Sequence, residues 1–251
     1  MIPKIIHYCW FGQGKKPESF QRCLKSWEQY CPDFTIKEWN EETAWSYLQP
    51  FAHDALRKRK YAFVADAVRT RVLYEMGGIY LDTDMLLLKP VDELLDNDFF
   101  TGYEVAGRPA YGMFGAVPDH PLIGKMKSYY DGERFNQFSP PVITHTFKSI
   151  VRPDNLGPND RIFPPEYFYP LSYENKDKDF RNYITGNSYA VHLWDHSWKQ
   201  PETDSFWQLV RNLNTVYIDR FFYAYPKPYF KRYSKEFGRK IYHRLINRKV
   251  S

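Results

Sequence analysis

Apolar positions along the chain recur at helical and strand periods in alternation, and each run marks one element. Residues 3–10 (PKIIHYCW) form a short apolar run that predicts a buried opening strand. "ESFQRCLKSWEQYC" then places Phe20, Cys23, Leu24 and Trp27 at helical spacing. "FTIKEW" reads as a second strand, and Asn40 is a favourable N-cap for a short helix through Leu48. Residues 54–76 read as a helix stopped by Gly77-Gly78, and "GGIYLDTDMLLLKP" (77–90) as the strand that follows. "DFFTGYE" and "YGMFGAV" are further strands, 121–130 is a helix, and the Pro-rich stretches at 139–141 and 164–170 are loops. "SYAVHLW" (188–194) is a late strand. Strands alternating with helices predict an α/β domain with a mostly parallel sheet covered on both faces. One domain over 1–216 and a tail over 217–251 account for the whole pattern.

Two acids interrupt the strand at 77–90. Asp82 and Asp84 stand two apart, so on extended chain they point to the same face, at the carboxyl end where α/β sheets hold ligands. Carboxylates this close repel unless one takes a proton or a cation sits between them. Mg²⁺ or Mn²⁺ is the simplest partner, since it binds carboxylate oxygen and keeps positions open for phosphate. A bare DxD is equally a strand-end turn with two solvated acids, so the flanks must decide. On the preceding helix Asp66 and Arg69 are three apart and share a face, either as a structural ion pair or as part of a site. Tyr80 precedes Asp82 by two and shares its face.

The flanks carry a resemblance. "YAFVADAVRTRVLYEMGGIYLDTDMLLLKPVDEL" (61–94) resembles the signature of the DXD-containing sugar transferases of glycosyltransferase family 32. That group takes in yeast-type mannosyltransferases, bacterial capsule glycosyltransferases and, more distantly, the glucosylating domains of large clostridial toxins. "IPKIIHYCWFG" (2–12) is similar to the family's first strand, "VPDHPL" (117–122) to its Pro-x-His-Pro-Leu turn, and "HLWDHSW" (192–198) to its C-terminal signature. "SPPVITHTF" (139–147) departs from the family, which often has Gly-Pro there. The resemblance spans residues 2–200 at intervals and leaves the tail aside.

What the resemblance implies is a GT-A type fold with a single Rossmann-like mixed sheet, a nucleotide-sugar donor with UDP favoured, and a divalent metal, Mn²⁺ or Mg²⁺. It implies direct metal binding by Asp84. Asp82 would reach the metal through water, or else the ribose or donor sugar. Asp66 and Arg69 would face the sugar and phosphate, Trp10 would stack on the base, and Tyr80 would line the pocket. His192 is the candidate third metal ligand, with Asp195 and His196 as competitors, and Ser197 and Trp198 would reach the diphosphate. His7, His120 and His145 are left as structural. The implied reaction is retaining transfer of a hexose to a saccharide or lipid-linked saccharide acceptor in surface polysaccharide synthesis. Two rivals use the same residues: a haloacid-dehalogenase-like phosphatase built on the DxD, for which Leu86 stands where Thr or Val is wanted, and an inactive sugar-nucleotide or membrane-binding protein.

Charge changes the picture only at the C-terminus. Residues 217–251 carry ten Lys/Arg against two Asp/Glu, +8, which leaves −3 for the other residues of a chain whose net charge is +5. Phe230, Tyr233, Phe237, Ile241 and Leu245 recur at helical spacing, with Lys231, Lys235, Arg239, Arg244 and Arg248 off that stripe. A basic amphipathic helix of this kind suits an anionic membrane surface. Nucleic acid is not an expected partner, because no binding motif accompanies the charge. Three cysteines without a CxxC pair predict reduced thiols and a cytoplasmic setting. The N-terminal run is too short for a secretory leader, and no stretch reaches the roughly 20 apolar residues that span a bilayer. A peripheral position on the inner face of the membrane is therefore the expectation.

Overall fold

The computed structural model describes residues 1–137, 140–195, 206–222 and 227–247. It divides into two compact units, Met1–Trp198 and Lys199–Ser251. In the first unit the order is β1 (Ile5–Cys9), α1 (Glu18–Tyr30), β2 (Thr35–Trp39), α2 (Pro50–Arg57), α3 (Tyr61–Met76), β3 (Gly78–Leu81) and β4 (Met85–Leu87). It continues through β5 (Phe99–Val105), β6 (Arg108–Ala116), α4 (Pro121–Gly132), α5 (Ile143–Thr146), β7 (Asp160–Phe163), α6 (Pro165–Phe168) and β8 (Ala190–His192). The second unit holds α7 (Phe206–Phe222) and α8 (Lys227–Asn247).

Six strands form one sheet in the order β2-β1-β3-β6-β5-β7, while β4 and β8 pair separately. The sheet is more mixed than expected: β1 is parallel to β2 and β3, but β6 runs antiparallel to both β3 and β5. β5 and β6 are joined as a hairpin, which needs no crossover helix, and it is β6 that lies against β3, while β7 pairs parallel with β5. Each face of the sheet is covered by its own core. Phe51, Val68, Val72, Tyr80, Phe114 and Met126 fill one side; Ile6, Phe20, Trp27, Ile79, Leu81 and Phe168 fill the other.

Four expectations need correction. The helix over 54–76 is two helices. Pro50 at the first turn starts α2, and Arg59 at φ 55 ends it, with Lys60 N–H donating to the Ala55 carbonyl at 2.9 Å. An arginine fills the left-handed position that glycine usually takes, so the sequence hid the break. Asn40 caps a turn, not a helix: its Oδ1 accepts from the N–H of Glu42 and Thr43 at 2.9 and 3.1 Å, and only a single 3₁₀ turn, Trp45–Tyr47, follows. The stretch 77–90 is not one strand, since β3 ends at Leu81 and β4 belongs to the second sheet. The loop expected at 164–170 contains α6.

Gly77 and Gly78 fix where β3 begins. Both have positive φ, 63° and 106°, and a Cβ on Gly78 would lie 2.7 Å from the Ile5 carbonyl oxygen and 2.9 Å from His7 Nε2. His7 is fully buried there, Nε2–H donating to the Gly77 carbonyl at 2.9 Å while Nδ1 accepts from Trp39 Nε1–H at 3.1 Å. It is structural, as is His120, buried against Asp160 at 3.0 Å; His145 lies exposed on α5.

Burial pushes the His7 imidazole down from its ordinary 6.5 to about 4. Its contribution to stability is therefore complete above about pH 6.5 and is lost as pH falls toward 4. His7→Gln preserves one donor and one acceptor without titrating. In urea melts the stability advantage of the wild type over this variant shrinks as pH drops from 7 to 4; an advantage independent of pH would contradict the assignment.

Candidate active site

The site begins on α3, which has no amphipathic stripe because it is buried nearly all round: Val64 through Thr70, Val72 and Leu73 are all buried. A charge on such a helix must be matched in place. Arg69 Nη2 lies 3.2 Å from Asp66 Oδ1 and 3.1 Å from Asp82 Oδ1, and Nη1 donates to the Tyr111 carbonyl at 2.9 Å. The guanidinium sits 4.2 Å from the centre of the Tyr80 ring, whose hydroxyl donates to Asp82 Oδ1 at 3.2 Å. Tyr80, expected to line the pocket, is 1% exposed and meets the site through its hydroxyl on Asp82. Burial pushes the Asp66 carboxyl up to about 7, with Arg69 opposing and the Asp82 charge adding to the rise.

Asp82 and Asp84 do converge, but not by the pleat of one strand. Residues 82–84 make a turn closed by the Met85 N–H on the Asp82 carbonyl at 2.9 Å. The Asp82 N–H donates to the Gly112 carbonyl of β6 at 2.7 Å, which ties the turn to the large sheet, and β4 then carries the chain into pairing with β8. That pairing sets Met85 opposite His192 and brings His192 Nε2 to 3.0 Å from Asp84 Oδ1. Burial alone would lower the His192 pKa, but the charge and hydrogen bond of Asp84 outweigh it and raise it.

One ligand atom from each of Asp82, Asp84 and His192 lies within 4.8 Å of the others, the one such cluster among the described residues. Asp82 engages Arg69 and Tyr80 through Oδ1, and Asp84 engages His192 through its own Oδ1. His192 Nδ1 is buried without a hydrogen-bond partner. Two carboxylates and an imidazole at the carboxyl edge of β3 fit a divalent cation, and a mostly oxygen set with one nitrogen suits Mn²⁺. The competitor Asp195 is exposed and accepts from the Ser19 hydroxyl instead. Ser197, Trp198 and His196 lie outside the described residues.

Trp10 leaves the end of β1 beside this edge. Its indole stacks on Phe20 at 6.0 Å between ring centres and donates to the Gly14 carbonyl at 3.0 Å. The sequence reading missed Gly112 and Tyr169. The Gly in "YGMFG" was the available signal, since glycine inside a strand marks a bulge or a close approach. Here it marks both: the β5–β6 register shifts, and a Cβ on Gly112 would meet Asp82 Oδ2 at 3.0 Å. Nothing local announces Tyr169, whose contacts with Gly112, Met113 and His192 come from long-range packing.

The mixed sheet is an α/β fold that carries an acidic turn at the carboxyl edge of a central strand. Residues 17–101 match the glycosyltransferase sugar-binding region containing the DXD motif, and residues 119–217 match the alpha 1,4-glycosyltransferase conserved region. The chain belongs to the DXD-containing glycosyltransferases of family 32. It is 25% identical to the human alpha-1,4-N-acetylglucosaminyltransferase over 53% of this chain and 42% of that protein. It is 32% identical to a mannosyl phosphorylinositol ceramide synthase of Saccharomyces cerevisiae, over 52% of this chain and 36% of that one. The chain thus spans about two fifths of the length of these relatives. Among solved structures, the PaToxG glycosyltransferase is similar with 19% identity and a TM-score of 0.46 over 60% of this chain and 69% of that one.

Removing the buried cation should leave two acids unmatched. Arg69→Met is expected to destabilise the fold by about 3–5 kcal/mol in urea unfolding. Adding Asp66→Asn should recover part of that loss. A single variant as stable as the wild type would show that the cluster is not held by charge.

Proposed function

We propose that this chain is a metal-dependent, retaining hexosyltransferase that moves a sugar from a nucleotide sugar, with UDP favoured, to a saccharide or lipid-linked saccharide acceptor in surface polysaccharide synthesis. The observation that carries the reading is the convergence of Asp82, Asp84 and His192 beside the Arg69 cluster. Asp82, Asp84 and His192 would hold Mn²⁺ or Mg²⁺, which supplies charge neutralisation to the departing diphosphate. Arg69 holds the Asp82 carboxylate in place and limits repulsion across the turn. Asp66, near neutrality in its pKa, offers either a donor or an acceptor to a sugar hydroxyl. Trp10 presents an aromatic face to the base, and the HLWDHSW segment, including Ser197 and Trp198, would meet the diphosphate.

Retention is supported by the alpha linkages in the names of the relatives, which follow from an α-linked donor only if configuration is kept. No second carboxylate is assigned as nucleophile, so front-face displacement fits better than the double displacement of retaining glycosidases. The phosphatase alternative needs an unengaged aspartate nucleophile, whereas Asp82 is tied to Arg69 and Tyr80. A lipid-linked acceptor is supported by relatives named for ceramide lipids. We extend the proposal to a peripheral position at the inner face of a membrane, with a cytoplasmic active site.

That extension rests on the second unit. α7 exposes Trp207, Tyr217, Ile218, Phe221 and Phe222, and α8 exposes Lys227, Lys231, Lys235, Arg239 and Lys240. Aromatic anchors with Lys and Arg suit the interface of an anionic bilayer. No helix among the described residues is long and apolar enough to cross a membrane.

Slow hydrolysis of one donor from a panel of UDP- and GDP-sugars, dependent on Mn²⁺ and abolished by Asp84→Ala, is the expected result. Failure of every donor both to turn over and to raise the melting temperature would overturn the transferase reading. In flotation assays the chain should bind phosphatidylglycerol vesicles and not phosphatidylcholine ones. Phe221→Ser with Phe222→Ser should release it, and equal binding to both vesicle types would remove the membrane proposal.

A further inference from the structure

The two halves of the acidic site hang from different sheets, and one side chain touches both. Asp82 is anchored to β6 through the Gly112 carbonyl, whereas His192 arrives on β8. Tyr169, just after α6, is 3% exposed and reaches between them. Its hydroxyl oxygen accepts from the N–H groups of Gly112 and Met113 at 3.1 and 3.2 Å. Those two N–H groups sit at the irregularity of β6, where side-chain alternation slips: Tyr111 joins one core and Met113 the other. The same tyrosine ring meets the His192 imidazole in a T-shaped contact, 5.8 Å between centres and 77° between planes.

We propose that Tyr169 is a positioning residue that sets the spacing of the metal-binding side chains, its hydroxyl fixing the β6 irregularity that holds Asp82 and its ring fixing the tilt of His192. Three features carry this. Both hydroxyl lone pairs are taken by backbone donors, so the oxygen is fixed in place and its proton remains as a donor. A point above Gly112 lies 3.0 Å from Asp82 Oδ2 and 3.2 Å from Tyr169 Oη, so glycine is what lets carboxylate and phenol approach. The segment around Tyr169 is itself braced against the β8 side. Tyr189 N–H donates to the Tyr167 carbonyl at 2.8 Å, and Trp194 Nε1–H to the Leu171 carbonyl at 2.9 Å. Trp194, held at φ 57, packs on His192 at 4.1 Å, so the imidazole is fixed from two directions.

The inference rests on the metal-dependent reading above, and its test separates the two. Mn²⁺ affinity is measured by the electron paramagnetic resonance of free Mn²⁺ for the wild type, Tyr169→Phe, and the neighbouring control Tyr167→Phe. The phenylalanine keeps the ring and removes only the oxygen. Partners that orient metal ligands typically change affinity when lost by roughly 10- to 100-fold, and a loss of that size is expected for Tyr169→Phe. Tyr167→Phe should match the wild type. The KM for the donor should rise at sub-saturating Mn²⁺ and recover at saturating Mn²⁺, which a merely structural role would not produce. If Tyr169→Phe does not fold, Gly112→Ala, which crowds the same junction, is judged by the same criterion. Wild-type affinity in the variant that folds overturns the proposal alone. No Mn²⁺ binding by the wild type overturns the metal reading and this inference with it.

Discussion

A guanidinium buried in a helix is the constraint on which this structure turns. Arg69 sits on α3, where almost every side chain is enclosed, and it stands among Asp66, Asp82, the Tyr111 carbonyl and the Tyr80 ring. Charge in such a place is tolerated only when it is paired and hydrogen-bonded. The pairing has a consequence for the turn after β3: Asp82 is neutralised from the protein side, while Asp84 is left facing His192. The two acids of the DXD turn therefore differ in partners, Asp82 held by Arg69 and Tyr80 and Asp84 by His192, although they are two residues apart.

The backbone around that cluster is shaped by small residues at close approaches. Gly78 lets β3 start against the Ile5 carbonyl, and Gly112 leaves room for Asp82 at the β6 irregularity. The turn at 82–84 is thereby fixed to the large sheet on one side and, through β4 and β8, to His192 on the other. Preorganisation of this sort matters for electrostatic chemistry, because groups already aimed at developing charge need no reorganisation when it appears.

Much of the site was legible from sequence because its signals are local. Asp82 and Asp84 are separated by one residue, Asp66 and Arg69 by one helical turn, and the flanking residues resemble a family signature. A single strand was expected where a turn between two sheets does the converging, and nothing in "LDTDML" says that the strand ends at Leu81. The break between α2 and α3 was hidden because Arg59 adopts a glycine-like φ. His192 was found only with help from the resemblance, and Tyr169 not at all. Its importance lies in contacts with β6 and β8, far from it in sequence, where no period or spacing reports.

In the proposed function the acidic turn binds a diphosphate by sharing a divalent cation with it. Two carboxylates and a diphosphate repel, so the nucleotide should have little affinity for this edge by itself. Calorimetric titration of UDP and GDP into the chain, with Mn²⁺ and then with EDTA, tests this directly. The expected result is binding with Mn²⁺ that disappears in EDTA and in Asp84→Ala. Equal binding in EDTA, or undiminished binding by Asp84→Ala, would contradict it.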